Sequence, residues 1–237
     1  MDNLITNTTP PTEQTGAFLS LHEARVLGAL VEKEITTPDY YPMTLNALTA
    51  ACNQKSNRDP VLQLSETEVV QAFDEARKKA LARIVDEGAS RVPKYRQRLT
   101  ETFQLTPSQT AIFCELLLRG AQTLGELRSR AERMYAFSSL TEVETVLTEL
   151  SSPEHPATSI VGKPLVTRLP RQTGQKEARF MHVLCGGEQY TEPSQNLAPS
   201  ASADAERLSA LEQEVASLRQ ELAQLREELH TFKQQFE

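Results

Sequence analysis

The sequence predicts a mainly α-helical chain with small β wings, on three observations: a set of helix-start signatures, one internal repeat and a C-terminal heptad seam. The signatures are Ser20-Leu-His-Glu23, Ser65-Glu-Thr-Glu68, Thr106-Pro-Ser-Gln109, Thr123-Leu-Gly-Glu126 and Ser139-Leu-Thr-Glu142. Each fits S/T-x-x-E/Q, in which the hydroxyl caps one free backbone N–H and the Glu or Gln side chain reaches back to another. Pro107 follows Thr106 at the first helical position, where its missing N–H costs nothing. Each string opens an apolar run at helical spacing. The runs predict helices over about 20–35, 44–54 and 65–82, and again over 107–119, 123–133 and 139–150.

The two sets of helices repeat one another. Thr44-Leu45 with Leu48 corresponds to Thr123-Leu124 with Leu127 at an offset of 79, and Ser65 with Glu68-Val69 to Ser139 with Glu142-Val143 at an offset of 74. The first copy therefore holds five extra residues between its second and third helices. Each set is followed by a pair of extended runs: 81–85 and 92–99 around Asp86-Glu87-Gly88, then 164–170 and 177–184 around the loop from Arg171 to Lys176. A Gly-bearing loop between two such runs reads as a β-hairpin. Three helices and a hairpin make the winged-helix form of helix-turn-helix. The expected architecture is two tandem winged-helix (helix-turn-helix) domains, 19–104 and 105–185, after a disordered N-terminus over 1–18.

Residues 186–203 are small, polar and Pro-bearing, and read as a flexible linker. Over 204–237, Leu208, Leu211, Val215, Leu218, Leu222, Leu225, Leu229, Phe232 and Phe236 recur at alternating steps of 3 and 4, a C-terminal coiled-coil helix with these residues at a and d. Glu214, Glu221 and Glu228 then fall at g, and Arg219, Arg226 and Lys233 at the following e positions. In a parallel dimer every g–e pair attracts, whereas an antiparallel pair sets like charges together. The expected partner is a second copy of the chain in a parallel homodimer; Leu at most a positions leaves a trimer open, and folding back onto the chain's own domain is the plainer alternative.

Composition bounds the remaining possibilities. The three cysteines, Cys52, Cys114 and Cys185, are odd in number and far apart, which suggests reduced thiols in a cytoplasmic protein. The N-terminus has neither the basic nor the apolar region of a signal peptide, and no run of 18 apolar residues could span a membrane. The net charge of −7 sits at the ends: −2 over 1–19, 0 over 20–104, +1 over 105–185 and −6 over 186–237. A neutral body neither demands nor excludes a polyanionic partner.

The string LSLHEARVLGALVEKEITTPDYYPMTLNALTAACNQKSNRDP (19–60), with PLVTRLPRQTGQKEARFMHVLCG (164–186), resembles the bacterial YceH family, and the repeat and coiled coil extend the likeness over all but the first 18 residues. The resemblance implies a tandem winged-helix architecture and brings no catalytic residues.

No catalytic constellation is present in the sequence: no G-x-S-x-G, Walker loop or G-x-G-x-x-G. His22, His155, His182 and His230 are scattered, and His182-x-x-Cys185 lacks the second pair that a structural zinc site needs. A non-enzymatic protein without metal or cofactor is expected. The predicted third helices turn Val69, Phe73, Ala76 and Ala80, and Val143, Val146, Leu147 and Leu150, to the core. Their outer faces offer Glu66, Gln71, Asp74, Glu75 and Lys78, then Glu142, Glu144, Thr145, Thr148 and Glu149. Acidic faces argue against major-groove reading, which uses Arg, Lys, Asn or Gln.

Cations gather elsewhere. Arg77, Lys78, Lys79 and Arg83 end the first third helix; Arg91, Lys94, Arg96 and Arg98 run down the first wing, with Lys94, Arg96 and Arg98 on one strand face by alternation. Lys163, Arg168, Arg171, Lys176 and Arg179 serve the second wing. Wings can lie along phosphates; equally, cations complement a helix C-terminus or guard an edge strand. The long turn holding Asn53, Gln54, Lys55, Asn57 and Arg58 reads either as Asx-rich local structure or as a recognition loop. Candidate nucleic-acid contacts are therefore Asn53, Gln54, Lys55, Asn57, Arg58, Lys94, Arg96, Arg98, Arg168, Arg171 and Lys176. The leading expectation is binding of double-stranded DNA, in a regulatory role. The alternative is a protein-interaction scaffold that uses the acidic helices and the coiled coil.

Overall fold

A computed structural model describes residues 18–85, 92–171 and 177–186. Of the expected disordered N-terminus and linker, residues 1–17 and 187–203 lie outside the described residues, as do Lys176 and the coiled coil; Phe18, expected to be disordered, instead packs against the core with its ring 6.4 Å from that of Phe103. The described residues fall within one compact unit ending at Gln189. That unit is mainly helical with two small antiparallel strand pairs. In chain order it runs α1 (Leu21–Thr36), α2 (Leu45–Cys52), α3 (Glu66–Lys78), β1 (Ala82–Val85), β2 (Lys94–Gln97), α4 (Leu99–Phe103), α5 (Pro107–Arg119), α6 (Leu124–Ala131), α7 (Leu140–Leu150), α8 (Thr158–Val161), β3 (Val166–Arg168) and β4 (Phe180–His182). Among the described residues no helix is long and apolar enough to cross a membrane.

The helix starts fall where the capping signatures put them. Ser20, Ser65, Thr106 and Thr123 each accept from the N–H three residues on, while Glu23, Glu68, Gln109 and Glu126 reach back to close the box. The fifth start differs: Ser139 caps α7, but the Glu142 carboxylate accepts from Ser138 N–H and Oγ at 2.8 and 2.7 Å instead. Thr44 caps α2 through the Ala47 N–H. The predicted core faces of α3 and α7 are buried, with one exception. Helix α3 stops at Lys78, and Ala80 is exposed, in the left-handed region at φ 60°. The expectation that Ala80 packs inward is thus corrected: the chain must turn here to enter β1, which takes Ala80 off the helical face.

The two copies share one apolar core. Helices α1 and α5 form its spine, each buried along ten consecutive residues, Glu23–Glu32 and Gln109–Leu118, as befits helices packed on all sides. They approach closely at Gly28. A Cβ there would lie 2.9 Å from Leu118 Cδ2 and 3.2 Å from Leu117 Cβ, and the Cys114 thiol meets the Gly28 carbonyl at 3.3 Å.

Both strand pairs gain a third segment in the same way. Met43, just before α2, bridges Tyr95 of β2, and Gln122, just before α6, bridges Phe180 of β4. Within the pairs, Arg83 stands opposite Arg96 and Val85 opposite Lys94, while Arg168 stands opposite Phe180.

Ala80 supplies a test of the turn. A left-handed alanine costs roughly 1–2 kcal/mol, of which glycine's larger entropy loss on folding returns about 0.5–1 kcal/mol. Ala80→Gly is therefore expected to raise the unfolding free energy by about 0.5–1 kcal/mol in urea denaturation; an unchanged or lower value would argue against that backbone conformation.

Candidate nucleic-acid interface and the inserted loop

Helix α2 ends at Cys52, and the long turn begins by clipping itself shut. The Asn53 amide donates to the Leu64 carbonyl at 2.7 Å and accepts from the Leu64 N–H at 2.8 Å. Asn57 sits at φ 52°, a left-handed conformation that asparagine tolerates. Arg58 lies inside, with only 3 % of its surface exposed. Its guanidinium forks onto Glu32 of α1, with Nη1–Oε1 at 3.0 Å and Nη2–Oε2 at 2.7 Å. Its Nε and Nη2 also donate to the Ala51 carbonyl at 3.1 and 2.8 Å. A second buried arginine, Arg25, donates to the carbonyls of Cys52 and Pro60 at 3.1 and 2.6 Å. Two guanidinium groups thus satisfy carbonyls at the C-terminus of α2 that have no intrahelical partner.

The loop also crosses to the second copy. The Asp59 N–H donates to the Leu118 carbonyl at the end of α5, at 3.0 Å. The Asn57 amide donates to Glu32 Oε1 at 3.3 Å and to Glu115 Oε1 of α5 at 3.0 Å. Arg133, from the turn after α6, donates to the same two carboxylates, at 3.2 Å to Glu115 and closer to Glu32. The side chains of Glu32 and Glu115 are fully buried.

Those two carboxyls are driven apart. Burial alone would raise Glu32, but the hydrogen bonds and charge of Arg58, then those of Arg133, outweigh it and hold the group at about 2. Glu115 is raised, because burial outweighs Arg133 and Asn57; its Oε2 is buried with no hydrogen-bond partner. Burial and the neighbouring Arg58 charge lower Arg25 to about 10, still protonated at neutral pH.

Of the candidate loop residues, then, Asn53, Asn57 and Arg58 turn inward, and Gln54 accepts from Arg58 and Lys33 at 3.2 and 3.4 Å. Lys55 is exposed. A surface role for Arg58 is corrected by its burial, since a desolvated guanidinium needs a carboxylate more than a surface does. Sequence reasoning missed Arg25, Glu32, Glu115 and Arg133. The signal was a charge inside an apolar run, as in GALVEKE and IFCELLL, where a buried charge demands a counter-charge.

Strand β2 keeps the predicted alternation, with Tyr95 and Gln97 buried and Lys94 and Arg96 half-exposed; the expected place of Arg98 on the strand face is corrected, because the strand ends at Gln97 and Arg98 is the N-cap of α4. Arg96 pairs with Glu34 at 3.3 Å and lies 6.0 Å from the Tyr41 ring centroid; Arg98 pairs with Glu101 at 3.3 Å. The Tyr41 hydroxyl accepts from the Gln97 N–H at 2.7 Å, and burial raises its pKa. At the end of α3, Arg77 and Lys78 are matched by Asp74 and Glu75 on their own helix, and Lys79 by Glu23. Among the described residues neither Arg83 nor Lys94 has an ion-pair partner. In and beside the second strand pair Arg168 and Arg171 are exposed, Arg168 lying 6.0 Å from the Phe180 ring centroid, and Arg179 donates to the Ala121 carbonyl at 3.2 Å. The predicted outer residues of α7 that are exposed include Glu144, Thr145, Thr148 and Glu149.

His182 is buried against Phe113, which lowers its pKa to about 4. The Cys185 thiol meets the Ser20 carbonyl at 3.5 Å, and burial raises it to about 12, as it does Cys52. Among the described residues no group of three or more His, Cys, Asp or Glu is placed to hold a metal ion.

The two carboxylates predict opposite responses. Glu32 is lower folded than unfolded, so its stabilisation is complete above about pH 4.5 and is lost as pH falls toward about 2. Glu115 is higher when folded, so its ionised form opposes folding as pH rises through its folded value. At pH 7 Glu32→Gln is expected to cost about 3 kcal/mol and to flatten the loss of stability between pH 4.5 and 2. Glu115→Gln is expected to be neutral or stabilising. Urea denaturation from pH 7 down to pH 2 measures both, and equal costs for the two variants at pH 7 would contradict the assignment.

Residues 19–175 match the family described as "Protein of unknown function, DUF480". The chain is 52% identical over 220 residues to a UPF0502 protein of Geobacter sulfurreducens, covering 91% of this chain and 96% of that one. It is 46% identical over 202 residues to a UPF0502 protein of Vibrio campbellii, covering 83% and 89%. With a match over most of its length and relatives this similar, the chain belongs to the DUF480 family.

Proposed function

We propose that the chain is a tandem winged-helix protein that binds nucleic acid through phosphate contacts of its first wing, working in the cytoplasm as a parallel homodimer held by the C-terminal heptad seam. The architecture is supported by the repeated order of three helices and an antiparallel pair. It is also supported by the matching third-strand bridges at Met43 and Gln122. The observation that carries the binding reading is the Arg83–Arg96 cross-strand pair. Like charges directly opposite one another destabilise a sheet, and here Lys94 adds a third cation on the same face. Among the described residues Glu34 offsets Arg96 and no carboxylate pairs with Arg83 or Lys94, which leaves positive charge that a phosphate backbone would neutralise. The acidic outer faces of α3 and α7 favour backbone contact over base reading.

Fluorescence anisotropy with labelled random-sequence DNA, single-stranded and duplex, over a salt series tests this reading. Binding is expected to weaken steeply with salt. Arg83→Gln with Lys94→Gln, which break no described ion pair, should reduce the log–log slope by about 0.7–0.9 for each phosphate no longer neutralised. No binding of either form at about 50 mM salt, well below the range where phosphate contacts are screened, would overturn it in favour of a protein-binding role for the acidic helices.

A further inference from the structure

Close to the cations of β2 stands a largely exposed aromatic ring. Tyr40 is 80 % exposed, at the end of a single 3-10 turn, while its neighbour Tyr41 is half-buried and bonded to the backbone of β2. The segment that follows runs antiparallel to β2: Met43 exchanges both backbone hydrogen bonds with Tyr95, at 3.1 and 2.7 Å, and Tyr41 reaches the Gln97 N–H. The Tyr41 ring lies 6.0 Å from the Arg96 guanidinium, so Tyr40, its neighbour in the chain, stands near the cations Lys94 and Arg96 that alternate along β2. An extended chain of phosphates lying along that row would bring a base to the tyrosine.

Resting on the nucleic-acid reading above, we infer that this face takes single-stranded nucleic acid, with Tyr40 as the stacking platform for an unpaired base. In a duplex the bases are already stacked on one another, and the ring would have nothing to receive. An unpaired base offers its π-face, and aromatic stacking beside a positively charged groove is a general means of holding single strands without sequence preference. The third helices point the same way. Duplex reading would press a helix into the major groove, yet α3 exposes Glu66 and Glu75 and α7 exposes Glu144 and Glu149. The wing face, by contrast, needs no groove.

The test is anisotropy of the full-length protein with three probes of equal length: oligo-dT, oligo-U and a random duplex. Both single strands are expected to bind at least about 10-fold tighter than the duplex. Tyr40→Ala should weaken single-strand binding by roughly 10-fold without changing its salt slope, and Tyr40→Phe should retain binding, because stacking uses the ring and not the hydroxyl. Tighter binding of oligo-U identifies RNA as the source of the strand, and tighter binding of oligo-dT identifies DNA. Duplex binding as tight as single-strand binding, or an indifferent Tyr40→Ala, overturns this inference and leaves the phosphate-binding reading standing. Failure of all three probes to bind overturns both. Because Tyr40 is exposed, its substitution is not expected to disturb folding, and the circular dichroism of the variant checks this directly.

Discussion

The described unit depends on where the charge of Glu32 is satisfied. This carboxylate sits within α1, a helix buried along ten residues, and an ionised group there is unstable unless it is paired and hydrogen-bonded. Arg58 supplies the bidentate partner, and Arg133 and Asn57 supply the rest. Because Arg58 comes from the long turn, the same pair sets the path of that turn and closes the end of α2. Because Arg133 belongs to the second copy of the repeat and also reaches Glu115 on α5, the cluster ties the two copies together. The shared core and the close approach at Gly28 do the same through apolar packing.

Local chemistry made most of the helices legible from sequence. Ser20, Ser65, Thr106 and Thr123 announce helix starts because capping is settled within four residues of chain. The antiparallel strand pairs were legible as extended runs around short loops, and the burial of Tyr95 and Gln97 against half-exposed Lys94 and Arg96 follows the alternation read in the first of them. What could not be read was anything decided at long range. Arg58 and Glu32 are 26 residues apart, and Arg133 and Glu32 are 101 apart. The types in the turn (Asn, Gln, Lys, Arg) are the same whether they face a ligand or a buried carboxylate, so composition could not choose between the two. Ala80 failed for a different reason: the helical period was carried two residues past the point where the backbone turns left-handed.

The distribution of counter-charges sharpens the functional picture. Arg77, Lys78 and Lys79 have carboxylate partners, which fits a role in ending α3 and complementing its dipole. Arg83 and Lys94 have none among the described residues, and Arg83 faces Arg96 across the strands. Surface ion pairs are worth little individually, so the informative feature is the unmatched pair of like charges in register. The proposed phosphate contacts rest on that unmatched pair and on the acidic outer faces of α3 and α7, which favour backbone contact over base reading.

The organising role of the Glu32–Arg58 pair is tested most directly by a double-mutant cycle on stability, with Glu32→Gln, Arg58→Met and the double variant compared by urea denaturation at pH 7. Two residues sharing one buried, bidentate contact should be strongly non-additive, with the double variant about 2 kcal/mol or more less destabilised than the sum of the singles. Effects that add to within about 0.5 kcal/mol would mean that the two groups are energetically independent, and that something other than this ion pair holds the long turn against the helices.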